Sequence, residues 1–286
     1  MSTAGQVIII GVLLGLVYTL ASLGMQVTLG VLGVLNLAHG VIVIAGALFA
    51  WDLLHAWHVT PLISAVIALP VFFVVGLVLY YVAVRRARDG GLLALFGAMI
   101  ALQSVAILIW TTDSRSITVS YSNSSVRFGG MAIPTDYLVA AAAAAVILAV
   151  IFAALRFTMA GRAVQALAQD AESARILGVN VDRYKAVVFA LGVAVAAMGG
   201  VLIADIFPFS VSDASQWLAF AFIVVLVGGT GRVINALAGG LVLGLAQSLF
   251  NQVLPLEYVD VVVYGLLAAV LILRGGGLAA TKERAL

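Results

Sequence analysis

Nine apolar stretches, separated by short polar breaks, leave this chain one kind of solvent in which it can fold. They run at about 6–29, 31–52, 62–83, 92–112, 136–156, 185–205, 214–228, 233–253 and 258–274. Most reach the roughly 18–20 residues that a helix needs to cross a bilayer core. Of the 286 residues, 64% are hydrophobic and only 9% charged, where an ordinary soluble domain carries about 25% charged residues. A water-soluble core cannot hide that much apolar surface. Backbone groups in lipid must be paired internally, which leaves helices or a closed barrel. The runs are too long and continuous for the alternating pattern of barrel strands. The expected fold is an all-α polytopic membrane protein of about eight or nine transmembrane helices.

The block from 6 to 52 is almost continuous. Gly30, Gly33, Asn36 and Gly40 interrupt it, so it is either two spans or one span plus a broken helix. Orientation follows from the basic residues, which collect in cytoplasmic loops. With the N-terminus outside, twelve of the fourteen fall inside: Arg85, Arg86, Arg88, Arg156, Arg162, Arg175, Arg183, Lys185, Arg232, Arg274, Lys282 and Arg284. Only Arg115 and Arg127 fall outside. The first basic residue is Arg85. A cleaved signal needs a basic start, so the first apolar segment is expected to stay in the mature protein. Trp51, Trp57, Trp110 and Trp217 fall near outer ends, as an interfacial aromatic belt requires. The outer loop 113–135 is rich in Ser and Asn.

The chemistry that is missing narrows the function. There is no cysteine, hence no disulfide or thiolate site. No G-x-x-x-x-G-K-[ST] loop is present, and both lysines, Lys185 and Lys282, lack the glycine that precedes it. There is no H-E-x-x-H. His39, His55 and His58 make no metal cluster, and the His55–His58 pair beside Trp57 reads first as interfacial. A net charge of +2 gives no reason to invoke nucleic acid. Ion-driven carriers usually bury carboxylates or an unwound ion site, whereas Asp52, Asp205 and Asp213 lie near span ends. The chain is expected to be no enzyme and to take its energy from a separate motor. A stand-alone gradient-driven carrier or channel is the alternative.

The polar groups that remain in the spans are few. Asn36 and His39 are three apart, a spacing that puts them on one helical face, bracketed by Gly33 and Gly40. They read equally as a path-lining or gating element and as an interhelical hydrogen bond that locks packing. Tyr18, Ser22 and Gln26 recur at intervals of four along the first segment, with Gln103 and Ser104 on the fourth and Gln247 and Ser248 on the eighth. They either line a route for a polar solute or bond between helices. Gly228, Gly229, Thr230, Gly231 and Arg232 form a tight inner turn or an anion-binding nest. The many glycines within spans allow close helix approach, read first as static packing and second as a moving interface.

One polar island, 156–185, interrupts the apolar pattern. Ala163, Leu167, Ala174 and Leu177 sit among its charges, and Gly178 is a helix stop. The expectation is a short amphipathic helix that lies on the membrane surface or docks in a partner's groove.

Three stretches carry a likeness to a known family: GLVYTLASLGMQVTLGVLGVLNLAHG (15–40), GRAVQALAQDAESARILGVNVDRYKAVVFALG (161–192) and VGGTGRVINALAGGLVLGLAQSL (227–249). Together they resemble the permease subunits of branched-chain amino acid ABC transporters, the shorter of the two permease types. The likeness implies one permease domain over 1–286, with a cytoplasmic coupling loop 157–184. It implies a second permease, as a heterodimer or a homodimer, two cytoplasmic ATPase subunits that hold ATP and Mg, and a periplasmic solute-binding protein. The setting would be the bacterial inner membrane with a cytoplasmic C-terminus. Gln169, Asp170, Glu172, Ala174, Leu177 and Gly178 would form the coupling element, and Asn36 and His39 become the leading path candidates. The sequence departs from the family pattern at Arg232 and Asn235, and at Arg274–Leu278, which lacks the family's proline. The same architecture serves hydrophobic amino acids, short amides, urea and some organic acids.

Overall fold

In the computed structural model, residues 2–86, 91–122, 124–128, 130–229, 233–253 and 258–273 are described. Arg88, Arg232, Arg274, Lys282 and Arg284, used above to orient the chain, lie outside them, as do Thr230 and Gly231 of the glycine cluster. The helices are α1 (Ser2–Leu32), α2 (His39–Trp57), α3 (Pro61–Leu79), α4 (Leu92–Trp110), α5 (Thr135–Phe157), α6 (Met159–Gln169), α7 (Ala171–Ile176), α8 (Val181–Ala204), α9 (Ala214–Gly228), α10 (Val233–Val253) and α11 (Val259–Leu273). A π turn, Tyr80–Val84, extends α3, and a 3-10 turn, Val211–Asp213, leads into α9. Among the described residues, eight helical segments are long and apolar enough to cross a membrane. The fold is that of an all-α polytopic membrane protein. The last apolar segment forms a helix of only 15 residues, α11.

The outer loop is not wholly irregular. Ser125–Phe128 (β1) and Met131–Pro134 (β2) pair antiparallel, with Phe128 opposite Met131. The hairpin meets the start of α1, where the Gln6 amide donates to the Ala132 carbonyl at 2.9 Å. The far end of α1 packs elsewhere: Val31 and Leu32 join Leu167, Ala174, Val181 and Val188 in a small cluster under α6 and α7. The N-terminal end of α1 and the island therefore lie on opposite faces of the bundle.

The block 6–52 resolves into two helices joined by an unusual link. α1 runs unbroken to Leu32 and stops at Gly33, whose φ of +68° suits a residue without a side chain. Residues 33–36 are irregular and 37–38 turn. The Asn36 side chain accepts from the Ala38 N–H (3.2 Å), and its carbonyl from the His39 N–H (3.1 Å). α2 then starts beside the middle of α1, because the His39 ring bonds the Ala21 carbonyl at 2.8 Å. Ala21 lies eleven residues before Leu32, a return of about 16 Å along the helix. α9 also begins inside the bundle, since a side chain placed on Gly40 would strike the Ala214 carbonyl 1.9 Å away.

α8 forms the centre, packed against α1, α2 and α3. Small residues permit this. A β-carbon on Gly200 would fall 1.8 Å from the Val43 carbonyl oxygen, so the two backbones touch. α1 and α10 meet likewise through Gly11 and Gly15 facing Gly240 and Gly244, the spacing that brings membrane helices close.

Two expectations change at this level. Trp217 does not belong to an interfacial belt: it is only 7% exposed and sits among core rings, because α9 starts below the surface. The island is not one helix but two, α6 and α7, divided where Asp170 caps α7 through the Glu172 N–H at 2.9 Å. α8 also starts earlier than the apolar run, at Val181, with the Asn180 side chain accepting from the Arg183 N–H at 3.1 Å.

Candidate functional site

Tyr18, Ser22 and Gln26 fall on one side of α1, as their spacing requires. The Tyr18 hydroxyl donates to Gln247 Oε1 on α10 at 2.6 Å. The Gln26 amide donates to the Gly229 carbonyl at 2.9 Å, closing the turn after α9. Between them, Ser22 is 2% exposed. Tyr18, Ala21, Ser22, Val43, Trp217 and Phe220 line a narrow crevice between α1, α2 and α9. It has no room for a molecule the size of water, so this is a constriction. Its rings interlock: Tyr18 lies 5.9 Å from Trp217 and 5.2 Å from Phe220, and Trp217 lies 5.0 Å from Phe220. Phe220 is absent from the residues read off the sequence, and Trp217 appears there only as an interfacial residue. Their spacing of three on a short apolar segment places both on one helical face and is the signal that could have found them.

Asn36 and His39 do not share a helical face. Gly33 breaks the helix, Asn36 shapes the turn, and His39 opens the next helix with its ring bonded to α1. Both are buried. Gln103 stands apart, partly exposed on α4, which packs on α2 and the turns at either end of the bundle. The structure does not bring it into the row with Tyr18.

The island projects from the other end of α1. Thr158 joins α5 to α6, its hydroxyl donating to the Ala154 carbonyl (2.6 Å) and accepting from the Gly161 N–H (3.0 Å). α6 is strongly amphipathic and turns Leu167 inward. On α7, Ala174 is buried while the following Ile176 and Leu177 are 82% and 81% exposed. Gly178, with φ of +87°, ends the helix. Asp170 stands fully in water, and its carboxyl is held below the usual range by the Ser173 hydroxyl and the Glu172 N–H. Gln169 and Glu172 sit at the water-facing junction of α6 and α7.

On the opposite face, polar contacts tie the loops to the helix ends. Arg115 and Phe209 exchange backbone hydrogen bonds of 2.9 Å in both directions. The Arg115 guanidinium stacks over Trp51 at 4.2 Å and donates to the Trp110 carbonyl. Trp110 donates its indole N–H to Asp52 at 2.9 Å. Asp205, just past α8, accepts from the Tyr121 hydroxyl at 3.0 Å. Burial pushes its carboxyl up to about 6, helped by the negative charge of Asp136 and opposed by the Tyr121 bond. Among the described residues, no three His, Asp or Glu gather as a metal site; the His55 ring is bonded to the Trp51 carbonyl at 2.8 Å.

The family described as "Branched-chain amino acid transport system / permease component" matches residues 7–271. The chain is 29% identical to the high-affinity branched-chain amino acid transport system permease protein LivH of Escherichia coli K12, over 96% of this chain and 94% of that protein. It is 26% identical to BraD, the corresponding permease of Pseudomonas aeruginosa, over 97% and 96%. It is also 26% identical to the ribose import permease protein RbsC of Haemophilus influenzae, over 76% and 72%. No solved structure gives a significant match. The chain belongs to this permease family: it is a multi-pass transport subunit and not an enzyme.

Proposed function

From that membership, we propose that this chain is the membrane-spanning half of an ATP-driven ABC importer. In this reading, 1–286 forms one permease unit in a bacterial inner membrane. The hairpin face with outer loop 113–135 and the N-terminus lie outside, and loop 157–184 and the C-terminus lie in the cytoplasm. A second permease completes the pathway, as a heterodimer or a homodimer. Two cytoplasmic ATPase subunits hold ATP and Mg, and a periplasmic binding protein delivers the solute. The cargo is a small polar or amphipathic molecule, either a branched-chain amino acid or a related amide, urea or organic acid. Tyr18, Ser22 and Gln26 border its route, near the link that Asn36 and His39 shape.

One observation carries this reading. α7 presents Ile176 and Leu177 to water while Ala174, on the same short helix, is buried against the cluster that holds the end of α1. A rigidly seated pair of exposed apolar side chains beside Gln169, Asp170, Glu172 and Gly178 is the form of a knob that fits a groove in a partner. Ala174 then acts as the anchor of this knob.

Leu177→Asp in the assembled transporter is expected to abolish solute-stimulated ATP hydrolysis and to release the ATPase subunits during purification, while the permease itself stays folded. Vesicles holding the purified chain alone are expected to show no solute flux. Rapid flux without ATPase subunits would overturn the importer reading in favour of a stand-alone carrier or channel.

A further inference from the structure

We propose that the corner where α5 meets α6 is a binding site for an anionic phospholipid of the inner leaflet. It rests on the importer reading only for the side of the membrane on which it lies. The corner is a fixed piece of structure. The Gln165 amide donates to the Leu155 carbonyl at 2.7 Å, and a β-carbon on Gly161 would strike the same oxygen. The first turns of α6 therefore lie directly on the last turn of α5. Arg156 and Arg162 stand exposed there, each against apolar side chains. The Arg156 guanidinium lies 6.0 Å from the centre of the Phe152 ring and 5.8 Å from that of Phe157, and Arg162 Nη2 is 2.8 Å from the Met159 sulfur. No Asp or Glu occurs from Tyr137 to Gln169, and the next acid, Asp170, is engaged at the cap of α7. The corner thus joins two positive charges to Phe157 and Met159, which are 74% and 76% exposed.

The partner must be acidic at one end and apolar along its length. From Phe157 the exposed apolar surface continues down α5 through Ala153, Val150 and Val146, whose spacings of four, three and four keep them on one helical face. α5 is a membrane-crossing helix whose most apolar window is only 22% buried. Eleven residues of helix rise about 16 Å, close to the roughly 15 Å depth of one leaflet. The strip leads from the guanidinium groups to the middle of the bilayer, as an acyl chain does from its phosphate. Guanidinium groups hold phosphate through paired N–H donors, and rings and long basic side chains settle at headgroup depth. A zwitterionic lipid would set its own cation against Arg156 and Arg162, so the head must be net negative. A groove on an ATPase subunit could cover Phe157 and Met159, but it gives no account of the strip that continues into the membrane.

The test uses the purified full chain in phosphatidylcholine vesicles that contain a small fraction of phosphatidylglycerol with a photoactivatable acyl chain. Adducts, mapped by mass spectrometry, are expected between Val146 and Met159, and several-fold fewer with the matching photoactivatable phosphatidylcholine. Arg156→Gln with Arg162→Gln should lower phosphatidylglycerol labelling there about twenty-five-fold, since each basic residue at an anionic surface is worth about fivefold. Arg156→Lys with Arg162→Lys keeps the charge without the fork and should label at an intermediate level. Equal labelling by the two lipids on the wild type, or wild-type labelling of the double Gln variant, overturns the site. Should that variant fail to fold, the comparison of the two lipids decides alone. Loss of labelling in millimolar inorganic phosphate would make this a site for the free anion, and loss on adding the ATPase subunits would make it part of their footprint; either overturns the lipid. None of these measurements reads transport, so ATP-independent solute flux would overturn the importer reading and leave the lipid site standing.

Discussion

α8 and α4 are both strongly apolar membrane helices, yet 89% of the most apolar window of α8 is buried and only 11% of that of α4. Their side chains explain the contrast. α8 carries Gly192, Gly199 and Gly200 with a run of alanines, and neighbouring backbones lie against it. α4 carries Leu93, Phe96, Ile100, Leu108 and Ile109, all pointing outward. In water, burial follows hydrophobicity. In a bilayer, lipid is as apolar as leucine, so packing is chosen by residues small enough to let helices touch. Hydropathy identifies a span, and side-chain size says which spans form the middle.

The sharpest way to break this comparison is Gly200→Ala. The added methyl meets the Val43 carbonyl at 1.8 Å, a collision with backbone that no rotamer relieves. It is expected to cost about 3 kcal/mol, seen as lost monodisperse protein in detergent. Normal yield and melting temperature would refute the view that α8 packs by backbone contact.

Next in size is Asp205, where α8 leaves the core. Its folded pKa of about 6 stands above the ordinary 3.8, so between those values the folded state holds a proton that the unfolded chain has released. Stability therefore falls as pH rises from about 4 through 6. Asp205→Asn should remove that fall and raise stability at pH 7.5 by about 3 kcal/mol, measured by thermal unfolding at pH 4.5 and 7.5. An unchanged pH profile would show the carboxyl to be better solvated than its 4% exposure implies.

The smallest effect is expected on α4. Leu108 is 83% exposed, and Leu108→Ala should change stability by less than about 0.5 kcal/mol. A loss comparable to that of Gly200→Ala would mean that α4 is also a packing helix, and the contrast would collapse.

Much of this was readable beforehand, for physical reasons that also mark its limits. Span length and loop charge define the helices because they answer to bilayer thickness and to the cost of moving cations across it. Where the chain re-enters the bundle, those rules lose hold. Trp217 looked like an interfacial tryptophan because it sits early in an apolar run, but α9 begins within the bundle and carries it into the core. Asn36 and His39 looked like helical neighbours because a spacing of three says nothing about whether the helix continues; the positive φ of Gly33 decides that. In the island, Asp170 ahead of Glu172 and Ser173 is a cap signal, and weighing it would have split the helix at the right place. The Ser22 crevice draws on three distant segments, and only their tertiary packing brings Trp217 to Tyr18.

One further consequence lies in α1. A single uninterrupted helix carries Tyr18 at the crevice and Val31 at the seat of α6 and α7, about 20 Å apart. Its waist is pinned at Gly11 and Gly15 by α10. Between Tyr18 and Val31, α1 is also locked to α8, where a β-carbon on Gly24 would fall 2.0 Å from the Gly192 carbonyl oxygen, so the crevice wall and the seat of the island belong to one packed unit.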